Sequence, residues 1–305
     1  MHDIIIIGGG PAGMTAALYA QRNGKSALVL EKGGFGGQIT YSPRVENFPG
    51  TLSMSGNEFA DKMLEQILAQ GAEVEVETVT GLVDDGAVKR ILTESSTEYE
   101  ARAVVIATGV KHRMLGLAGE YALVGTGISF CAVCDGEYYR GQTVVVAGGG
   151  NSALQEATLL ADVCKEVILV QDLDCFTGEA KLAQTLLARP NVRALTGTAI
   201  DALITADGAL CGLQVRNKAT GEKNRLSCDG LFVAIGLIPE NDAFAELVPL
   251  DTVGYIAAGE NCETGCAGIF AAGDCRKKRV RQLTTASADG AVAALAACEY
   301  INANP

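Results

Sequence analysis

The chain has 305 residues, 48% of them hydrophobic, with 37 glycines and ten cysteines. That length accommodates two domains of ordinary size. A net charge of −12 speaks against nucleic acid and against an anionic membrane surface, both of which are gripped by clustered Lys and Arg.

The chain opens on Met1-His2-Asp3 and a run of isoleucines that ends at Gly8. This reads as a strand with no basic segment before it, so neither an export signal nor a membrane span is expected and the cytoplasm is the expected compartment. Gly8-Gly9-Gly10-Pro11-Ala12-Gly13 then turns into an apolar helix reaching about Arg22, and strand 26–30 ends at Glu31. Strand, G-x-G-x-x-G turn, helix and terminal acid are in the register of a dinucleotide fingerprint. The glycines let the backbone approach a pyrophosphate at the helix N-terminus, and Glu31 is placed to accept hydrogen bonds from a ribose. A lone glycine turn would be weak evidence; the surrounding register makes this one specific.

Phe59, Met63, Leu64, Ile67 and Leu68 recur at helical spacing over 56–70, a core-facing stripe. Strand 101–107 closes on Ala107-Thr108-Gly109. The pattern then restarts. Val144–Ala147 leads into Gly148-Gly149-Gly150-Asn151-Ser152-Ala153, a helix to about Asp162 and a strand over 166–170, and 231–236 echoes the Ala107-Thr108-Gly109 strand end. Segments 199–217 and 222–228 alternate weakly, as hairpin strands do. Strand 268–274 ends in Gly273-Asp274, and a small-residue helix covers 281–302. The fold class is therefore α/β, with two Rossmann-like nucleotide-binding domains, the second inserted into the first. The expected divisions are 1–114, 115–243 and 244–305.

Between the two fingerprints lies Cys131-Ala132-Val133-Cys134-Asp135-Gly136. Thiols at this spacing can close a small reversible disulfide, and a dithiol between nucleotide-binding units suggests electron flow from a bound cofactor into that disulfide. The alternative is half of a zinc site completed by Cys262 and Cys266, but His2 and His112 lie elsewhere and no metal is expected. Cys164, Cys175, Cys211, Cys228 and Cys298 read as buried small hydrophobes, and His112 as an ordinary polar residue. Asp135 is either a proton donor to the dithiol or a turn residue before Gly136.

Taken together, Gly8–Gly13, Gly36-Gly37-Gln38, Val45–Gly50, Ala107–Gly109, Cys131–Gly136, Gly148–Ala153, Gly273–Arg276, Arg281-Gln282 and Asp289–Ala291 resemble the low-molecular-weight thioredoxin reductases of bacteria and archaea, over essentially the whole chain. The resemblance implies FAD in the first domain. Gly8, Gly10, Pro11, Ala12, Gly13 and Glu31 would hold the ADP half. Gly37, Gln38, Asn47, Ala107, Thr108, Gly109, Gly273, Asp274, Arg281 and Gln282 would lie along the rest. It further implies a redox disulfide at Cys131 and Cys134, Asp135 as the acid that protonates the leaving thiolate, a nicotinamide site at Gly148, Gly150, Asn151, Ser152 and Ala153, a thioredoxin-like protein partner, and a homodimer in which the central domain rotates.

One segment departs from the family. Where its members carry cations for the 2′-phosphate of NADPH, this chain has Gln171, Asp172, Leu173 and Thr177, with Lys181 as the only cation close in sequence. Losing two charge-assisted contacts of about 1.5–3 kcal/mol each corresponds to a loss of roughly a hundred- to ten-thousandfold in affinity. An acid at this strand end is what an NADH site uses, with Asp172 on the ribose. The expected donor is therefore NADH or a non-nicotinamide donor such as ferredoxin rather than NADPH. Competing functions are a flavin-bound redox sensor and a peroxiredoxin-system disulfide reductase. A ferredoxin–NADP reductase of this fold would lack the dithiol.

Overall fold

A run of isoleucines makes a strand covered on both faces. β1 (His2–Ile7) sends Ile4 and Ile6 into one core and Ile5 and Ile7 into the other, the arrangement of a parallel strand between helical layers. It feeds α1 (Pro11–Arg22), in whose first turn Pro11 needs no N–H partner, and α1 returns to β2 (Ala27–Glu31). α2 (Gly56–Ala69) starts at Ser55, whose hydroxyl accepts the Glu58 N–H. It is followed by β3 (Glu73–Val76), β4 (Val79–Asp84), β5 (Lys89–Thr93) and β6 (Glu98–Ile106).

After β7 (Val110–His112) come β8 (Ile128–Ser129), the one-turn α3 (Ala132–Asp135), β9 (Thr143–Ala147), α4 (Asn151–Val163), β10 (Glu166–Val170), α5 (Ala180–Leu187) and β11 (Val192–Leu195). β12 (Thr198–Ala206), β13 (Ala209–Asn217) and β14 (Lys223–Ser227) form a separate antiparallel sheet, one strand more than a simple hairpin. β15 (Gly230–Val233), β16 (Leu237–Pro239), β17 (Ile269–Ala271) and α6 (Leu283–Ala303) complete the chain.

The computed structural model describes residues 1–305, which form two compact units, Met1–Lys111 with Ile238–Pro305, and His112–Leu237. The divisions expected after 114 and 243 differ from these by a few residues, because the chain leaves and re-enters the first unit on β7 and β16 rather than in the loops beyond them. In the first unit β3-β2-β1-β6 run parallel; β17 lies parallel to the end of β6, and β5 and β4 continue antiparallel from its start. The second unit carries the all-parallel order β11-β10-β9-β15-β8.

The two units repeat one device at atomic detail. Gly8 (φ 114°) follows β1 and Gly148 (φ 128°) follows β9, and a Cβ there would collide with the carbonyl of Ala107 or Ala234 respectively. Their N–H groups donate to Leu30 and Val170, the last buried positions of β2 and β10. Glycine is thus required where the turn crosses the neighbouring strand end. In the first unit a second close approach joins α1 to α6: a Cβ on Gly290 would strike the Ala12 carbonyl.

Candidate active site

The first glycine turn opens onto a cleft of about 910 Å³, confined to the first unit and lined by Gly8, Gly10, Pro11, Ala12, Glu31, Gly37, Gln38, Ala107, Thr108, Gly109 and Asp274. Glu31 fixes the turn: its Oε2 accepts the Gly9 N–H at 2.6 Å and its Oε1 the Gly33 N–H at 3.0 Å. Gly13 packs against the Gly8 carbonyl and Gly273 against Ala12, each without room for a side chain. Asn47 donates to Gln282 Oε1 at 3.3 Å, and Gln282 caps α6 with Thr285 in a reciprocal pair. Arg281 stacks on Tyr255 at 4.2 Å and donates to the Asp274 carbonyl.

Asp274 is the informative side chain of this cleft. Burial pushes its carboxyl up to about 6 against the pull of Lys278 and Arg281, and its buried Oδ1 makes no hydrogen bond, with Lys278 Nζ 4.0 Å away. A polar group left in this state calls for a ligand atom. A cleft with a glycine-backbone floor at a helix N-terminus and a buried carboxyl oxygen that makes no hydrogen bond fits a dinucleotide such as FAD.

Several residues around this cleft escaped the sequence reading. Asn241, 1% exposed, accepts from Thr108 Oγ1 at 2.9 Å and donates to the carbonyls of Gly254 and Cys275. It ties the Ala107–Gly109 strand end to the Asp274 turn, and no motif marks it. Glu240 bridges Lys32 and Lys111 beside the cleft. Arg276 and Lys278 both converge on Asp289, which also accepts the Gly273 N–H; the Asp289-Gly290 dipeptide was the available signal.

In the second unit Cys131 and Cys134 are joined in a disulfide, with Cα atoms 5.3 Å apart. Cys131 caps α3, its Sγ accepting the Cys134 N–H at 3.2 Å. Ser129 Oγ accepts the Cys131 N–H at 3.1 Å and donates to Asp135 Oδ2 at 2.6 Å. Asp135 is therefore linked to the disulfide through one hydroxyl. Burial holds its carboxyl above the usual range, only partly countered by Ser129, and its Oδ1 has no partner. A carboxyl whose proton affinity is raised beside a dithiol is placed to act as a general acid.

The second glycine turn is enclosed from the side of β10. Gln171, expected at the ligand-facing strand end, is buried instead: it lies under Gly149 and donates to the Cys175 carbonyl. The N–H groups of Thr177 and Gly178 both bond the Gly149 carbonyl, and Asn151 Oδ1 accepts the Glu179 N–H at 2.7 Å. Ser152 is exposed at the start of α4, while Ala153 is fully buried in the core against Gly148. Asp172 is exposed, and here the sequence reading needs correction: Lys181 is not the only cation nearby. Lys218, from the end of β13, donates to the Asp172 carbonyl at 2.9 Å and lies 3.9 Å from its carboxylate. Antiparallel pairing, invisible to local spacing, brings it there.

Other expectations also need correction. Cys175 is exposed and Cys211 partly so; Cys164, Cys228 and Cys298 are buried. Burial pushes Cys228 up to about 12 and Cys164 up to about 11, so both remain thiols. Cys262 and Cys266 donate to the carbonyls of Asp289 and Leu247, and no three His, Cys, Asp or Glu side chains are grouped to hold a metal. His112 stacks on Phe130 at 4.3 Å, and burial drives its pKa down to about 4. It is thus a neutral packing group rather than an ordinary polar residue.

Residues 2–290 match the pyridine nucleotide-disulphide oxidoreductase family. The chain is 38% identical over 301 residues to the thioredoxin reductase of Listeria monocytogenes, covering 99% of this chain and 94% of that protein. Its identity to the thioredoxin reductase of Bacillus subtilis is 37% over 301 residues, covering 99% and 95%. The crystal structure of thioredoxin reductase from Streptococcus pyogenes superposes with a TM-score of 0.94 at 37% identity, covering 99% of each chain. The fold, the cleft and the joined cysteine pair agree with these likenesses, and the chain belongs to the pyridine nucleotide-disulphide oxidoreductase family as a thioredoxin reductase-like, FAD-dependent oxidoreductase.

Proposed function

We propose that this protein is a thioredoxin-disulfide reductase whose electron donor is not NADPH. The observation that carries the reading is the closed Cys131–Cys134 disulfide, linked through Ser129 to a buried carboxyl, in a chain that also carries a dinucleotide cleft. When bound, FAD would supply the two-electron store. Glu31 and the Gly8–Gly13 turn would hold its ADP portion, and Asp274, with Thr108 and Gln38 on the cleft wall, its remainder. Cys131 and Cys134 would pass two electrons to the disulfide of a thioredoxin-like partner, and Asp135 would manage the proton that each exchange needs.

The reading of the donor rests on the β10 strand end. Gln171 is buried, Leu173 and Thr177 carry no charge, and Lys218 is offset by Asp172. A 2′-phosphate would meet Lys218 already paired to Asp172, with Lys181 of α5 as the remaining nearby cation. NADH, with Asp172 on its ribose, or a non-nicotinamide donor such as ferredoxin, suits it better. We further propose a homodimer, as the family resemblance implies, and a cytoplasmic setting; no helix is long and apolar enough to cross a membrane. Anaerobic bleaching of the flavin by NADPH, NADH and reduced ferredoxin in turn, followed by turnover with a matched thioredoxin, tests both halves. Flavin reduction without multiple turnover would support a sensor instead.

A further inference from the structure

Two buried carboxyl oxygens in the second unit lack hydrogen-bond partners, Asp135 Oδ1 and Glu156 Oε2. They sit on α3 and α4, which pack together: Ala132 of α3 shares a core with Ala153, Ala157 and Leu160 of α4. Glu156 occupies the second turn of α4, and none of the motifs discussed above accounts for a carboxyl there. An aliphatic residue would fill the position without leaving an orphaned oxygen, and such orphans call for an explanation.

The surroundings supply repulsion rather than compensation. Asp135 is the charged group that Glu156 feels. Around Asp135 lie the Ser129 hydroxyl from β8 and the Tyr139 phenol, which burial and then Asp135 itself push up to about 12. Tyr139 also faces Cys164, Cys228 and Asp229, none of them a cation. Arg140, the nearest guanidinium along the chain, is paired outward with Glu137. Two neighbouring carboxylates with buried, unpartnered oxygens do not both ionise readily, so such a pair holds one proton well past the usual range. The directions agree: burial and then Asp135 raise Glu156 to about 8, and burial raises Asp135.

We infer that Asp135 and Glu156 form one proton-sharing carboxyl pair, in which Glu156 is a positioning residue that keeps a proton available, through Asp135, for the thiolate released when the Cys131–Cys134 bond is reduced. The inference rests on the proposed redox role of that disulfide. Cleavage of the S–S bond takes two electrons and yields two thiolates. The pair gives its proton to one of them, and solvent supplies the other proton when both become thiols. When the dithiol reduces a partner disulfide, both electrons pass to the partner's sulfurs, the S–S bond re-forms, one released proton returns to the pair and the other goes to a partner thiolate, whose mate takes its proton from solvent. Titration of the pair is coupled, so its apparent pKa belongs to both residues.

The test is an infrared pH titration of the oxidised, FAD-loaded protein, read at the protonated-carboxyl stretch. A band surviving to about pH 8 is expected; it should be absent in Glu156→Gln. In Asp135→Asn, which removes the like charge, its midpoint should move toward acid by roughly one pH unit, a tenfold change in proton affinity. The band should also change when dithiothreitol reduces the disulfide, but not in the Cys131→Ser/Cys134→Ser double variant, which isolates any signal from the flavin. A wild-type carboxyl titrating in the ordinary acid range, a midpoint unmoved by Asp135→Asn, or a band indifferent to disulfide reduction would each overturn the pair. These readouts involve no thioredoxin and no nicotinamide, so failure of turnover with either is a separate result.

Discussion

Arg276, 2% exposed along its side chain, donates through Nε and Nη2 to the two carboxylate oxygens of Asp289 at 2.8 and 2.7 Å. Asp289 lies on α6 and also accepts from Lys278 and from the Gly273 N–H. The pair thus staples the last helix to the turn that presents Asp274, and a structural ion pair positions a side chain of the cleft wall.

Asp289→Asn should destabilise the protein by about 3–5 kcal/mol, because it leaves Arg276 buried with only the solvent-exposed Glu260, 3.7 Å away, as counter-charge. Burial alone would raise the Asp289 carboxyl, but hydrogen bonds from Arg276 and Lys278 outweigh it and hold it below the usual range. The folded pKa is depressed, so the stabilisation is full above the unfolded carboxylate value near 4 and is lost as pH falls through the lower folded value. Chemical denaturation between pH 7 and pH 3 should show an acid loss in the wild type that is smaller in the variant. Equal pH slopes would refute the assignment.

Asp274 has the opposite sign. Its folded carboxyl is raised to about 6, so wild-type stability declines as pH rises from the unfolded value toward 6 and stays lower beyond it. Flavin-free Asp274→Asn should match the wild type near pH 4 and exceed it at pH 8 by about 1–3 kcal/mol, from a shift of roughly two units. The same variant should hold FAD more weakly. Gain of stability without loss of flavin affinity would mean that the orphaned carboxyl does not face the cofactor.

The elements that sequence exposes best are those whose residues act locally. The isoleucine run, the two glycine turns and the Cys131–Cys134 spacing each carry their own geometric constraint, so each is legible within about ten residues. Asn241 and Lys218 are not. Asn241 works because chain segments remote from it, at Thr108 and Cys275, converge on its amide, and Lys218 reaches Asp172 through the antiparallel register of β12 to β14. Gln171 failed for a related reason. Its position matches a ligand-facing one in the family, but its uncharged side chain turns under Gly149 and becomes core. Glu156 shows the same limit, since one carboxylate in a helix gains meaning only beside a second one on another element.

Replacing either thiol separates binding from electron relay. Cys131→Ser and Cys134→Ser should each lower turnover with thioredoxin by several orders of magnitude while FAD absorbance per chain stays at the wild-type level, because the flavin cleft lies wholly in the other unit. The measurement is flavin content alongside steady-state disulfide reduction. Near-normal turnover in both variants would move the relay to another site.

The donor prediction turns on Asp172 and Lys218. NADPH should be a poor reductant, with kcat/KM below that for NADH or reduced ferredoxin by at least roughly tenfold, one lost charge-assisted contact being worth about 1.5–3 kcal/mol. Lys218 supplies one positive charge, but its ammonium already serves the Asp172 carbonyl and faces the Asp172 carboxylate, so a 2′-phosphate would have to displace that pairing. Asp172→Arg with Thr177→Arg replaces the acid and adds two guanidiniums around the Gly148–Ala153 turn. It should raise NADPH use by roughly tenfold or more if the pocket accepts a nicotinamide. Lys218→Ala frees the Asp172 carboxylate; it should weaken NADPH further and leave ferredoxin-driven turnover unchanged. No gain in the double variant would favour the ferredoxin-type donor. Efficient NADPH turnover by the unmodified protein, with a Michaelis constant in the low micromolar range, would show that Lys218 and Lys181 suffice to hold the 2′-phosphate and that the reading of this strand end is wrong.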